Sequence, residues 1–419
     1  MMDDLENEFG LKEEREGDDD SSDDNLSKGG RKSHLPLVNL KTAESSKKSD
    51  FHESTRICLE RIRKAMLHHR WQEAAKYMVS FSQVLEETNR SKAPQTIELV
   101  WRISTEILHH LPNSTMDDYN IIYERMKHSG VRHYLTICLE KSFHLMLHGE
   151  LENARRELSA GESWRYGKES ASQHHNFTLI HAYRSLLDYI IWCDKKSLQS
   201  THPNSEDDQS MHRYFKQAAV NLREVLKKPG VWDPFILCYI EMLEFYDDHE
   251  EALKILNNYA YDHSFPPNPN AHVYLYQYLK RHNAPEKKLI KVLKILQVLV
   301  PSHELMLEYI SLLLQSERTN AVQKALEVAL AMLDFKCWKR NLDVWRHLKA
   351  IIQQMQTQEN CQEAVVAVMD QRKDWWSAFH FTSMHATQDV KDNPELFEIK
   401  SSLAKVLYPD QTLKYTAGS

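Results

Sequence analysis

The chain has 419 residues, with 60 acidic and 53 basic side chains for a net charge of −7, and only 10 glycines. Five glycines lie near the ends (Gly10, Gly17, Gly29, Gly30, Gly418), which argues against glycine-rich phosphate loops and turn-dense β folds. Residues 1–50 hold 14 acidic and 8 basic residues (−6), leaving 46 against 45 (−1) for the rest, so no broad basic surface for nucleic acid is indicated.

Residues 1–50 read as a disordered tail, because residues 1–24 carry 12 acidic and 2 basic side chains around isolated apolar points at Leu5, Phe9 and Leu11. Such a segment cannot bury enough surface to offset its ordering entropy. It is either a solvated lead or an acidic-hydrophobic contact for a basic partner, with Leu5 and Phe9 as anchors. Ser21, ahead of Ser22-Asp23-Asp24, suits an acidophilic kinase. Residues 25–50 turn basic (Lys28, Arg31, Lys32, Lys47, Lys48), in clusters too short to specify nuclear import.

Helical periodicity begins near Glu53. Ile57, Leu59, Ile62, Met66 and Leu67 share one face, and Arg70-Trp71-Gln72-Glu73-Ala74-Ala75 opens a second helix. Further hairpins are predicted at 94–110 with 116–128 and at 130–147 with 149–162, then long helices at 174–196 and 211–228. The polar stretch 197–210 is the best internal boundary. These hairpins make an N-terminal section, 51–228.

Pro229-Gly230 is a stop, and Asp233-Pro234 reads as an N-cap with proline at the first helical position. Trp232 between them is expected to plug a junction of hairpins. From here the chain repeats. First helices are predicted near Asp233, Asn268, Ser302 and Asn341, spaced 35, 34 and 39; second helices near Asp248, Ala284, Thr319 and Glu359, spaced 36, 35 and 40. Tetratricopeptide repeats have a period of about 34. Ala252, Ala325 and Ala364 fall early in second helices, where a small residue lets two helices approach; Leu289 takes that place in one hairpin. The repeats cover 229–385, and 386–419 reads as a poorly ordered end with one helix at 395–407. The fold class is therefore all-α, a tetratricopeptide-like helical-hairpin solenoid behind a disordered N-terminal tail.

Catalytic and metal motifs are absent from the pattern. His52, His249 and His303 each precede a glutamate, but Arg56, Leu253 and Leu307 stand where a zinc-protease motif needs its second histidine. The pairs His68-His69, His109-His110 and His174-His175 point about 100° apart on a helix. The run Gly161 to Lys168 has five residues between its glycines, and Glu169 where a phosphate loop needs Ser or Thr. The six cysteines (Cys58, Cys138, Cys193, Cys238, Cys337, Cys361) form no CxxC pair and read as reduced thiols in an intracellular protein. No secretory leader and no membrane span are expected, nor any cofactor.

Two surfaces remain as candidates. Lys287, Lys291 and Lys294 lie at i, i+4 and i+7 with Lys288 beside them, opposite Leu289, Val292, Leu293 and Leu296. They form either a solvated helix face or a contact for phosphates or an acidic partner. Trp375 and Trp376, with Phe379, are either an aromatic cap closing the last repeat or a docking site, tryptophan with flanking arginine being the composition of interface hot spots.

Ordered blocks carry more than the period does. PGVWDPF (229–235), YIEMLEFY (239–246), NNYAYDHSFPPNPNAHVYLYQYLKR (257–281), KVLKILQVLVPSHELMLEY (291–309) and RKDWWSAFHF (372–381) closely resemble the A subunits of the TATA-binding-protein-associated factors of RNA polymerase I. HHRWQEAAKYM (68–78) and the run Glu162 to Gly167 resemble them too, so the likeness covers about 51–381. It implies a non-catalytic subunit of the promoter selectivity complex, partnered by the TATA-binding protein and the other associated factors, recruiting RNA polymerase I to ribosomal RNA genes in the nucleolus. Family members can carry a basic C-terminal extension; SSLAKVLYPDQTLKYTAGS has little charge, which leaves DNA contact to the complex. Without the likeness, the repeats alone suit an adaptor in another assembly, such as a chaperone or trafficking scaffold.

Overall fold

The computed structural model describes residues 43–86, 93–129, 133–164, 171–199, 205–316, 320–356, 361–409 and 413–416. Every regular element among them is helical. The chain makes α1 (Ala43–Leu67), α2 (Trp71–Glu86), α3 (Ala93–His110), α4 (Met116–Ser129), α5 (Tyr134–Leu147), α6 (Leu151–Ser163), α7 (Ala171–Gln199) and α8 (Ser205–Leu226). Then come α9 (Asp233–Phe245), α10 (His249–Ala260), α11 (Pro269–Arg281), α12 (Glu286–Leu299), α13 (Leu305–Gln315), α14 (Ala321–Leu333), α15 (Leu342–Met355) and α16 (Cys361–Met369). A 3-10 turn (Asp370–Arg372), α17 (Trp376–His380), α18 (Ser383–Asp392) and α19 (Pro394–Leu407) complete it. Helix α1 begins ten residues ahead of Glu53, inside the segment expected to be tail. None of these helices is long and apolar enough to cross a membrane.

Two compact units divide the chain within α7, one ending at Leu187 and the other beginning at Asp188. In the first, α1 pairs with α2, α3 with α4 and α5 with α6. Ile62, Ala65, Ala74, Met78, Phe81 and Ile107 form one core cluster; Trp101, Tyr119, Tyr123, Met126 and Ile137 form another. Ala74 and Ala154 are fully buried at their helix crossings, which is what lets such short helices sit close.

In the second unit, α9–α10, α11–α12 and α13–α14 are hairpins, each packed on the next, as the spacing predicts. Ala252 and Ala325 are fully buried, Leu289 is buried at the same place, and Ala364 is half-buried. Caps set the entries. The Asp248 side chain accepts from Glu251 N, Asn268 from Asn270 N, and Asn341 from both Asp343 N and Val344 N. Asp233 is no cap: it is the first helical residue, and Trp232 holds the cap position. Its carboxylate instead receives Tyr259 Oη at 2.6 Å, Asn268 Nδ2 at 2.8 Å and Asn270 Nδ2 at 2.8 Å, tying one hairpin to the next. Trp232 is buried as expected. Its Nε1 donates to Lys228 O at 2.9 Å, and a Cβ on Gly230 would meet the indole at 2.9 Å.

The chain end differs from the sequence expectation. Residues 386–419, expected to be poorly ordered, carry the end of α18 and all of α19, which packs on α15 and α16. Leu396, Ile399, Leu403, Leu407, Tyr408 and Tyr415 are buried there. The polar intervals Thr382-Ser383 and Asn393-Pro394, which weaken the periodic pattern, are helix starts: Thr382 and Asn393 both cap with their side chains.

Candidate functional site

The aromatic pair is divided by the fold. Arg372 places both of its donor edges on Asp334, at the end of α14, with Nε 2.9 Å from Oδ1 and Nη2 2.6 Å from Oδ2. The same carboxylate accepts Trp376 Nε1 at 2.9 Å. Trp376 is thereby drawn fully inside, against Trp345, His380 and Phe381. His380 is also fully buried, with Nε2 donating to Leu333 O at 3.0 Å. Burial first, and then the Lys400 charge, push its imidazole down to about 2, so it is neutral at any ordinary pH.

Trp375, one position earlier, turns outward and is 41% exposed. Its ring lies 5.8 Å from that of Phe379, and Lys339 Nζ sits 4.4 Å from the centre of the Phe379 ring. The outer side thus offers an aromatic ledge backed by a cation. Because α18 and α19 follow and pack on the unit, these aromatics do not end the array. Trp376 is a core residue; Trp375 with half-buried Phe379 faces outward.

The lysine row behaves as its spacing predicts. Leu289, Val292, Leu293 and Leu296 are buried, while Lys287, Lys288, Lys291 and Lys294 are all exposed. Among the described residues none of the four is ion-paired; Lys291 alone has a ring contact, 5.8 Å from Tyr261. Val298, one turn on, is also exposed.

The first helices of the hairpins contrast with that row. Glu241 accepts from Tyr189 at 2.5 Å and Lys196 at 3.2 Å. Glu308 accepts from Tyr276 and from Lys280 at 2.7 Å. Glu395 is gripped by Arg346 at 2.9 and 2.8 Å. Sequence reading missed this ladder. Its carboxylates lie on α9, α13 and α19 and their donors on other helices, so the pairs are legible only once the helices are packed. Lys196, Lys280 and Arg346 are thus paired, whereas the four lysines of α12 have no ion pair among the described residues.

Leu5, Phe9 and Ser21 lie outside the described residues. No group of three or more His, Cys, Asp or Glu side chains among the described residues is arranged to hold a metal.

Comparison with known proteins gives consistent results. The sequence profile of the family of TAF RNA Polymerase I A subunits matches residues 64–419. The mouse (Mus musculus) member of the A subunits of the TATA box-binding protein-associated factors of RNA polymerase I is 42% identical over 368 residues, covering 86% of this chain and 81% of its own length. The human (Homo sapiens) protein of the same description is 40% identical over 367 residues, with the same coverage.

Proposed function

The chain belongs to the family of RNA polymerase I TAF A subunits, and from that membership we propose that it is a non-catalytic subunit of the RNA polymerase I promoter selectivity complex. In this role it holds the TATA-binding protein and the other polymerase I TBP-associated factors together for pre-initiation assembly at ribosomal RNA genes, in the nucleus and its nucleolus. The observation that carries the proposal is the extent of the match, which takes in about two thirds of the first compact unit and all of the second.

The surfaces suit such work. Stacked helical hairpins display long faces, and the Trp375–Phe379 ledge has the composition of a protein-docking hot spot. The lysine row of α12 suits phosphates or an acidic partner, as point charges do. The near-neutral balance of residues 51–419 supports contact with the promoter mainly through the complex.

The test is recovery of the tagged full-length chain from nuclei, where the TATA-binding protein and the other polymerase I factors should come with it. Recovery with chaperone or trafficking components instead would replace this reading with the adaptor one. Trp375→Ala combined with Phe379→Ala should retain the circular dichroism spectrum with a modest fall in melting, loss of two half-buried rings costing about 1–2 kcal/mol, yet strongly reduce the recovered partners. Full recovery by that variant would remove the ledge from the interface.

A further inference from the structure

The first unit holds an open cleft of about 620 Å³ where α1, α2 and α3 meet. The α1–α2 turn reverses sharply, with His69 at φ 54 and Arg70 N bonded to Ala65 O at 2.8 Å. This sets Trp71 at the mouth, its indole stacked on His110 at 4.0 Å. Leu111 and Pro112 add an apolar wall, and Arg70 and Lys76 line the cleft as cations. Its one lining carboxylate, Glu73, is taken by Arg70 at 2.7 Å and by Tyr77 Oη at 3.1 Å, and Glu106 lies 3.2 Å from His110. Lys76 is exposed and has no ion pair among the described residues. Over residues 56–76 the chain carries six Lys and Arg against two Glu, a local +4 in a molecule that is otherwise neutral or acidic.

We propose that this cleft is the docking site of the chain's own acidic N-terminal segment, residues 3–11, held in cis. The chemistry matches on both counts. Asp3, Asp4, Glu6 and Glu8 supply carboxylates for Lys76 and for the rest of the half-exposed Arg70 guanidinium, which meets Glu73 through Nη1, and Leu5, Phe9 and Leu11 supply apolar groups for Trp71, Leu111 and Pro112. Reach is sufficient. Helix α1, at 1.5 Å per residue, spans roughly 37 Å from Ala43 to the cleft end, while residues 12–42 can cover up to about 100 Å. Tethering makes the contact intramolecular, so an attraction too slight to capture a free acidic peptide suffices. Charges at the mouth are exposed, so the contact is salt-sensitive. This inference does not rest on the transcription role.

The test uses the full-length chain with a photo-crosslinking amino acid in place of Phe9. At low salt the crosslinks map to Trp71, Leu111, Pro112 and their neighbours within the same molecule. Their yield falls at least tenfold in 0.5 M salt (a Debye length of roughly 4 Å) and at least tenfold in Arg70→Glu with Lys76→Glu. Should that double variant fold poorly, neutralising the other side (Asp3→Asn, Asp4→Asn, Glu6→Gln, Glu8→Gln) gives the same fall without touching the folded unit. Crosslinks to other surfaces, crosslinks between two copies, or yields indifferent to salt and charge reversal would each overturn the proposal.

Discussion

Each unit ties charges from several helices into a knot, half exposed at Glu124 in the first and fully buried in the second, and the two are built on opposite plans. In the first, Lys127, Lys141, Glu124 and Glu157 form a square across α4, α5 and α6. Lys141 meets Glu124 at 2.5 Å and Glu157 at 2.8 Å, and Lys127 meets Glu124 at 3.0 Å and also Glu157. Burial works against the Lys127 charge, but its bonds to Glu157 and Glu124 outweigh that and hold it above its usual range. In the second unit a single carboxylate, Asp389, serves three donors: Lys400 Nζ at 2.8 Å, Tyr415 Oη at 2.8 Å and Arg340 Nε at 3.0 Å. Burial would raise the Asp389 carboxyl, yet Lys400 and Tyr415 together keep it below the usual range. The square is redundant, since each charge keeps an opposite partner if one member is lost. The hub is not. Lys400 is fully buried, and among the described residues its other contacts are the rings of Trp345 at 5.1 Å and Tyr415 at 5.9 Å.

That contrast can be broken or sharpened in three ways. The largest effect is expected from Asp389→Ala, which strands Lys400 and frees the chain end held by Tyr415. Breaking a buried pair by removing one partner costs about 3–5 kcal/mol. Urea unfolding measures it, and a loss under 1 kcal/mol would show the hub to be as redundant as the square.

Acid comes next. The folded His380 imidazole is pushed down to about 2, while an unfolded histidine titrates near 6.5. Between those values the unfolded chain binds a proton that the native one refuses, so stability is full above about pH 6.5 and falls as pH drops. From pH 7 to 5 the loss through this one group is about 2 kcal/mol. His144 in the first unit is pushed down to about 4, by burial first and His148 second; its effect has the same sign and ends near pH 4. His380→Gln, which retains a donor for Leu333 O, should flatten the slope in that window. Equal slopes for variant and parent would mean that His380 gains water and charge in the folded state.

The smallest effect is expected from Lys141→Ala. Glu124 and Glu157 both keep Lys127, and Glu124 is half exposed, so the cost is about 1 kcal/mol, that of a net hydrogen bond, and well below that of Asp389→Ala. A loss matching the hub variant would erase the distinction between the two plans.

What the sequence by itself determined is what depends on neighbours within a helical turn or two. The helix starts near Asp248, Asn268 and Asn341, the proline stops, the alanines at helix crossings and the exposed lysines of α12 are all local, so the helices and the repeat period could be read from spacing. Tertiary structure decided what depends on residues far apart in the chain. Trp375 and Trp376 are equivalent in composition, and only the Asp334 carboxylate, 42 residues before Trp376, chooses which one turns inward. Asp233 looked like a cap because aspartate before proline usually is one; its three donors come from 26 to 37 residues further on. The last two helices read as a fading end because Asp389 and Lys400 look like solvent-facing charges until Arg340 and Tyr415 meet them. A buried charge is stable only with its partner in place, and that partner is a property of the packed molecule, not of any single helix.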